Sequence, residues 1–286
     1  MNTQHQADIY TYKQLRENWI TRRQIEHMLK TGQLRRIRRG WYQTPEANPE
    51  AIRAIKLGGR LCCLSECKRQ GLWVPPGDIR PHIALPSHAE NDLPSDVVGH
   101  RSKLNPGQPT VPLRESLGMV LRHHDAETGL IVLESAVDKG LITRWQAREL
   151  IAEQSGRKQQ ELRFFTPGAQ SGSETRARLF LQRRGLDVKI QQHPAGVGRV
   201  DILVGKSLII ECDSAAHHSK VEDYLNDRER DLQAIDAGYS VIRLSYPQIW
   251  SEWKRTQQVL IRRLGGKRYR SDSVHNSGDF EQKRAF

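Results

Sequence analysis

The chain has 286 residues and carries 45 Lys and Arg against 33 Asp and Glu, a formal charge of +12, with a pI near 9.8. Such a balance favours a polyanionic partner, because a basic surface attracts phosphate backbones strongly and with little selectivity. Only four cysteines occur, and Cys62, Cys63 and Cys67 cluster too tightly for an obvious disulfide framework, while no run of about 18 apolar residues offers a membrane span. The N-terminus shows no basic-then-apolar signal pattern, so a reduced cytoplasmic setting is expected.

The first segment, 1–47, reads as two short helices and a hairpin. Thr11 to Asn18 suits one helix; Thr21-Arg22-Arg23-Gln24 is a capping box that opens a second, with Ile25, Met28 and Leu29 on one face. Gly32 ends it, and the alternation from Leu34 to Tyr42 predicts a hairpin that is basic on its exposed positions. Between Lys13 and Arg39 stand nine basic residues against Glu17 and Glu26. A charge run of this kind is either a solvated face or a phosphate-contacting one. Its coincidence with a second helix and a following wing favours duplex contact by Arg22, Arg23, Arg35, Arg36, Arg38 and Arg39.

The middle region, 48–155, predicts an α+β segment without evident chemistry. Helices are expected at Asn48–Leu57, Ser65–Gln70, Leu113–His124, Leu130–Lys139 and Thr143–Glu153, and strands at Ile79–Leu85 and Val97–Arg101. Cys63 and Cys67 have a ligand-like i, i+4 spacing, but no second pair follows at finger-like distance, so core packing is the expectation. His123-His124-Asp125 reads as a cationic helix end. Residues 156–172 read as a linker and 269–286 as a polar tail.

From 173 to 268 the predicted order is helix 174–184, strand 188–191, a hairpin of 200–204 and 208–213 around Gly205-Lys206-Ser207, helix 220–237, and strand 239–245. If Val204 pairs with Leu208, Asp201 falls opposite Glu211, with side chains roughly 4.5–5.5 Å apart at Cβ. Like charges so placed repel, which calls for a cation between them. Asp213, two residues on, shares the face of Glu211. Asp223, Asp227 and Asp231, spaced i, i+4, read as a salt-bridged face with Arg228 and Arg230.

Two resemblances follow from these residues. Leu15, Arg22-Arg23-Gln24-Ile25, Gly32-Gln33-Leu34, Ile37, Gly40 and Tyr42 resemble the winged helix of AbiEi-type antitoxins over roughly 40 residues. That likeness implies duplex DNA binding with the 21–31 helix in the major groove. Glu174, Asp201 and Glu211-Cys212-Asp213 resemble the PD-(D/E)XK layout of restriction-endonuclease-like domains. The closest likeness is to relatives of the very-short-patch repair (Vsr) endonucleases, through Arg199-Val200-Asp201, Ile210-Glu211-Cys212-Asp213, His218-Ser219, Asp227-Arg228-x-Arg230-Asp231 and Gly238-Tyr239-x-Val241-Ile242-Arg243.

The fold class expected is therefore multidomain α+β and α/β: an N-terminal winged helix-turn-helix, a middle α+β region and a C-terminal restriction-endonuclease-like domain. The resemblance implies Mg²⁺ or Mn²⁺ on Asp201 and Glu211, water activation by His218, support from Glu174 and Asp213, and phosphate contacts from Arg228 and Arg230. Asp213 stands where that motif normally has Lys; Lys206 and Lys189 are candidate substitutes. The expected function is a metal-dependent DNA endonuclease with double-stranded DNA as partner. The alternatives left open are a non-catalytic AbiEi-type regulator with a degenerate nuclease-like domain, partnered by a cognate toxin or a second copy in a toxin–antitoxin pair, and an RNA-directed nuclease.

Overall fold

The computed structural model describes residues 8–77, 80–87, 93–213 and 221–264, the last beginning with backbone alone for 221–227. It is a mixed α and β structure with three small sheets among the described residues. The chain forms two compact units, Met1–Val132 with Arg148–Lys158, and Leu133–Ala147 with Gln159–Phe286.

The first unit opens with β1 (Ile9–Thr11), α1 (Tyr12–Glu17) and α2 (Arg22–Lys30). Each helix starts at a threonine whose hydroxyl accepts from the amide three residues on, while Gln14 or Gln24 reaches back to the cap N–H, a pair of bonds that satisfies two otherwise orphaned donors. Gly32, at φ +78°, follows the end of α2. Next come β2 (Arg35–Arg38) and β3 (Trp41–Gln43). β3 lies between β1 and β2, and a bulge between Arg36 and Arg38 shifts their register. Leu15, Ile25 and Leu34 make a small core under Met28, Leu29 and Tyr42.

Then follow α3 (Pro49–Lys56), β4 (Arg60–Leu61), α4 (Cys63–Arg69), β5 (His82–Leu85), β6 (Val98–Arg101) and α5 (Leu113–His123). Asn48 caps α3 and Pro49 opens it, a position where a missing N–H costs nothing. Ile9 and Trp41 share one core with Ala51, Ala54, Ile55, Leu61, Ile83 and Leu85. Residues 8–47 thus keep a small core of their own and also pack, through Ile9 and Trp41, on the region that follows. The three cysteines of this region are buried free thiols.

Helices α6 (Ala126–Asp138), α7 (Arg144–Ala152) and α8 (Gly156–Glu161) come next. The stretch 156–172, expected as a linker, carries α8, and its remainder is tied down: the Phe164 carbonyl accepts from Arg178 and the Thr166 amide donates to Glu134. Glu134 and Arg178 are both fully buried and paired at 2.7 Å through both carboxylate oxygens.

The second unit continues with α9 (Gly172–Gln182), β7 (Val188–Gln192), β8 (Val200–Val204), β9 (Leu208–Cys212), α10 (Val221–Asp236) and β10 (Ser240–Leu244). Two helices beyond those expected from the sequence, α11 (Tyr246–Trp250) and α12 (Trp253–Leu264), end the described chain. The sheet order is β10-β9-β8-β7; β7–β8 and β8–β9 are antiparallel and β9–β10 parallel. Ile202, Val204, Leu208 and Ile210 face Ala177, Phe180 and Leu181 of α9 together with Ile249, Trp253 and Leu260. Val200 and Ile209 meet Ala234 of α10 in a second cluster. Each fully buried Leu, Ile or Val contributes roughly 1.5–3 kcal/mol, so this doubly covered sheet rigidly fixes what its strand ends carry. Among the described residues no helix is long and apolar enough to cross a membrane.

Candidate functional site

The β8–β9 hairpin has the register expected of it. Val204 pairs with Leu208, Leu203 with Ile209 and Ile202 with Ile210, around a turn where Gly205 takes φ +59°. Past Ile202 the ladder gives way to side chains: Asp201 Oδ2 accepts the Cys212 amide at 2.9 Å. The Asp201 carboxylate is thereby pinned beside Glu211. Burial, and after it the Asp201 charge, push Glu211 up to about 7, the response expected of crowded carboxyls.

Glu174 joins them from the first turn of α9. Ser171 Oγ caps that helix through the Glu174 amide, yet the Glu174 carboxylate does not reach back to the Ser171 amide. It accepts from the Gln170 amide and from Gln191 Nε2, both at 2.8 Å. Burial, then the charge of Asp201, raise Glu174 to about 7 as well. Buried Cys212 feels the same concentration of charge; desolvation first, then Asp201, Glu174, Glu211 and Asp213, raise its thiol.

Gln191 is the member that sequence reasoning missed. Ile190 pairs with Ile202 and Gln192 with Val200, which brackets Gln191 against Asp201. Its backbone sits at φ +49°, a conformation that costs a non-glycine residue about 1–3 kcal/mol. The amide nitrogen stands between Glu174 at 2.8 Å and Asp201 Oδ1 at 3.5 Å, and its Oε1 is buried with no hydrogen-bond partner. A buried orphan oxygen beside two acids fits a place for a hard cation. One or two carboxylates completed by water and phosphate is the usual Mg²⁺ arrangement, and the chemistry of Asp201 and Glu211 is compatible with it.

Arg243 is the second missed residue. It lies beside Glu211 in the parallel register of β9 and β10 and exerts the attraction that moderates the rise of Glu211. Its guanidinium pairs with Asp231 at 2.8 Å and with Asp213 at 3.4 Å. Asp213 is thus an exposed, ion-paired acid rather than a bare replacement for the motif lysine. Neither proposed substitute joins the acids: Lys189 pairs with Leu203 on the exposed edge, and Lys206 is exposed at the far turn.

The other expected residues lie as follows. Arg228 contacts Asp231 at 3.3 Å, and Arg230 donates to the Arg199 carbonyl, both on the side of the sheet covered by α10. His218 lies outside the described residues. In the first unit Arg22, Arg23, Arg35, Arg36, Arg38 and Arg39 are all exposed. Arg22 also pairs with Glu26 at 3.0 Å, and Arg38 donates to the Ile55 carbonyl that ends α3. Trp19, in the turn between α1 and α2, is 92% exposed.

Among the described residues, the set of three metal-capable side chains whose ligand atoms all fall within 4.8 Å of one another is not this acid cluster but Cys63, His82 and His100. No protein-family model matches the chain, and no curated protein matches it.

Proposed function

We propose that the chain acts on DNA and hydrolyses a phosphodiester at the Glu174, Gln191, Asp201 and Glu211 cluster, in the manner of the PD-(D/E)XK nucleases it resembles. One observation carries this reading. Three acids and an orphaned amide oxygen converge at the end of a doubly covered sheet, and two of the acids are pushed up to about 7. A structural role does not call for so costly an arrangement.

Asp201 and Glu211 would hold Mg²⁺ or Mn²⁺, which would supply Lewis acidity and an activated water when bound. The remaining work falls to the chain itself. The Cys212 amide fixes one Asp201 oxygen, leaving the other turned to the site. Gln191 keeps Glu174 and Asp201 apart and in place. Arg243 offsets the negative charge on Glu211, the electrostatic part a motif lysine would otherwise take. Arg228 and Arg230, on α10, would contact the substrate's phosphates. The basic face of α2 and the β2–β3 hairpin supports duplex docking of the AbiEi kind.

Incubating supercoiled plasmid with the protein and Mg²⁺ or Mn²⁺ tests the reading, with Asp201→Ala as comparison. Nicked or linear product from the native chain alone is expected. No product under either metal, with duplex binding intact, would leave the second reading, a non-catalytic regulator. The presence of Asp213, ion-paired to Arg243 at the motif's lysine position, is what favours that alternative.

A further inference from the structure

We propose that the first unit binds one Zn²⁺ ion as a structural centre, ligated by Cys63 Sγ, His82, His100 and His124. The ligand atoms of Cys63, His82 and His100 lie within 4.8 Å of one another. Cys63 Sγ is 3.3 Å from His124 Nε2, and His82 Nδ1 is 2.9 Å from His100 Nε2. Zinc bonds of about 2.3 Å to sulfur and about 2.0–2.1 Å to nitrogen give a tetrahedron with edges of roughly 3.3–3.6 Å. Cys63, His82 and His100 therefore need only small movements to close on an ion, and His124, within reach of Cys63 Sγ, must swing in to complete the set.

Four separate elements converge to make the set. Cys63 opens α4 at φ +52°, a strained conformation for a non-glycine residue, with its thiol 3.3 Å from His124. His82 and His100 come from neighbouring parallel strands, β5 and β6, where Ala84 pairs with His100. His124 caps the end of α5. Their sequence separations, 19, 18 and 24 residues by subtraction of residue numbers, hide the set from any search for finger-like spacing.

The donor chemistry selects the metal. One thiolate and three imidazoles suit a borderline-soft ion and not Mg²⁺ or Ca²⁺. Cys63, His82 and His100 are 0%, 2% and 7% exposed, so the site is closed in the way of a structural rather than a catalytic centre. Burial pushes the Cys63 thiol up to about 12; binding must displace that proton, Cys–SH and Zn²⁺ giving Cys–S–Zn⁺ and H⁺. The rival arrangement is metal-free, with the Cys63 thiol donating to His124 and one of His82 and His100 donating to the other.

The test uses the full chain, purified without a metal-affinity step and analysed for bound metals by mass spectrometry. About one zinc per chain is expected, retained on dialysis against Mg²⁺, and reduced at least about tenfold in Cys63→Ser. Cys67→Ala, one helical turn away, and Glu211→Gln, in the acid cluster, should keep it. Exchange with Co²⁺ should give visible d–d absorption and a thiolate-to-cobalt charge-transfer band. His124→Gln, at the half-buried edge, should stay folded with a shifted cobalt spectrum and zinc affinity down about 10–100-fold, which keeps the test decisive if Cys63→Ser fails to fold. No zinc as purified and no cobalt spectrum on titration would overturn the proposal in favour of the thiol–imidazole network. Zinc that persists in both Cys63→Ser and His124→Gln would overturn it as adventitious.

Discussion

Arg243 stands directly beside Glu211 across the parallel β9–β10 pairing and, from that place, grips both Asp213 and Asp231. On the proposed nuclease reading, the charge that a lysine at position 213 would bring is supplied from a different strand. If the cluster is catalytic, Arg243→Gln should depress nicking by roughly 10²-fold or more, in the range for removal of a charge-stabilising group. Lys189→Ala and Lys206→Ala should leave it within about twofold. Matched rate measurements on the three variants decide the point; equal reductions would return the role to the lysines.

Gln191 couples strain to the site. Replacing it with glycine relieves a positive φ, which should raise thermal stability by about 1 kcal/mol or leave it unchanged. The same change removes the amide between Glu174 and Asp201, so nicking should fall. A variant that is both less stable and fully active would show that Gln191 serves only to hold the strand.

Acidity offers a third test. Glu174 and Glu211 are held at about 7 against an ordinary 4.5, so between those values the folded chain keeps protons that the unfolded chain has released. Stability from these groups is full below about 4.5 and falls as the pH rises toward 7. Glu211→Gln should therefore gain on the metal-free native chain by on the order of 1–2 kcal/mol at neutral pH, after allowance for partial exposure, and by little near pH 4.5. Added Mg²⁺ should shrink the gap. Denaturant melts at several pH values, with and without Mg²⁺, measure it.

The basic face makes a separate prediction about binding. Every arginine–phosphate pairing abolished should lower the slope of log affinity against log salt by about 0.9. Arg35→Ala, Arg36→Ala and Arg39→Ala together should flatten it by nearly three such steps without cost to folding. Arg38→Ala should add a stability cost of its own, because that guanidinium also caps the carbonyl end of α3. Fluorescence titration of a labelled duplex at several salt concentrations reads both; an unchanged slope would move the DNA-binding face elsewhere.

Local chemistry makes much of this readable from the residues alone. The Thr21 capping box, the Asn48-Pro49 start, the Gly205 turn and the resulting hairpin register follow from short-range rules that hold wherever those residues occur. What escapes depends on distance along the chain. Gln191 reads as one more polar strand residue until its pairing sets it against Asp201. Arg243 gains meaning only once β10 lies parallel to β9. Cys63 looks like packing and the histidines like a helix end, because their meeting is tertiary. Helix α11 is hidden because it is only five residues long, and α12 because its apolar residues are spaced among Lys and Arg.

The fully buried pair of Glu134 and Arg178 has a bearing on how this protein can be divided. The acid belongs to α6, well upstream of the acid cluster, yet it neutralises a guanidinium at the heart of α9. A fragment begun at 156 or 173, the natural choice from the motif alone, would strand an uncompensated cation at a penalty of about 3–5 kcal/mol. The smallest self-sufficient piece that carries the acid cluster should accordingly start before Leu133, and any recombination that moves that piece has to carry α6 with it.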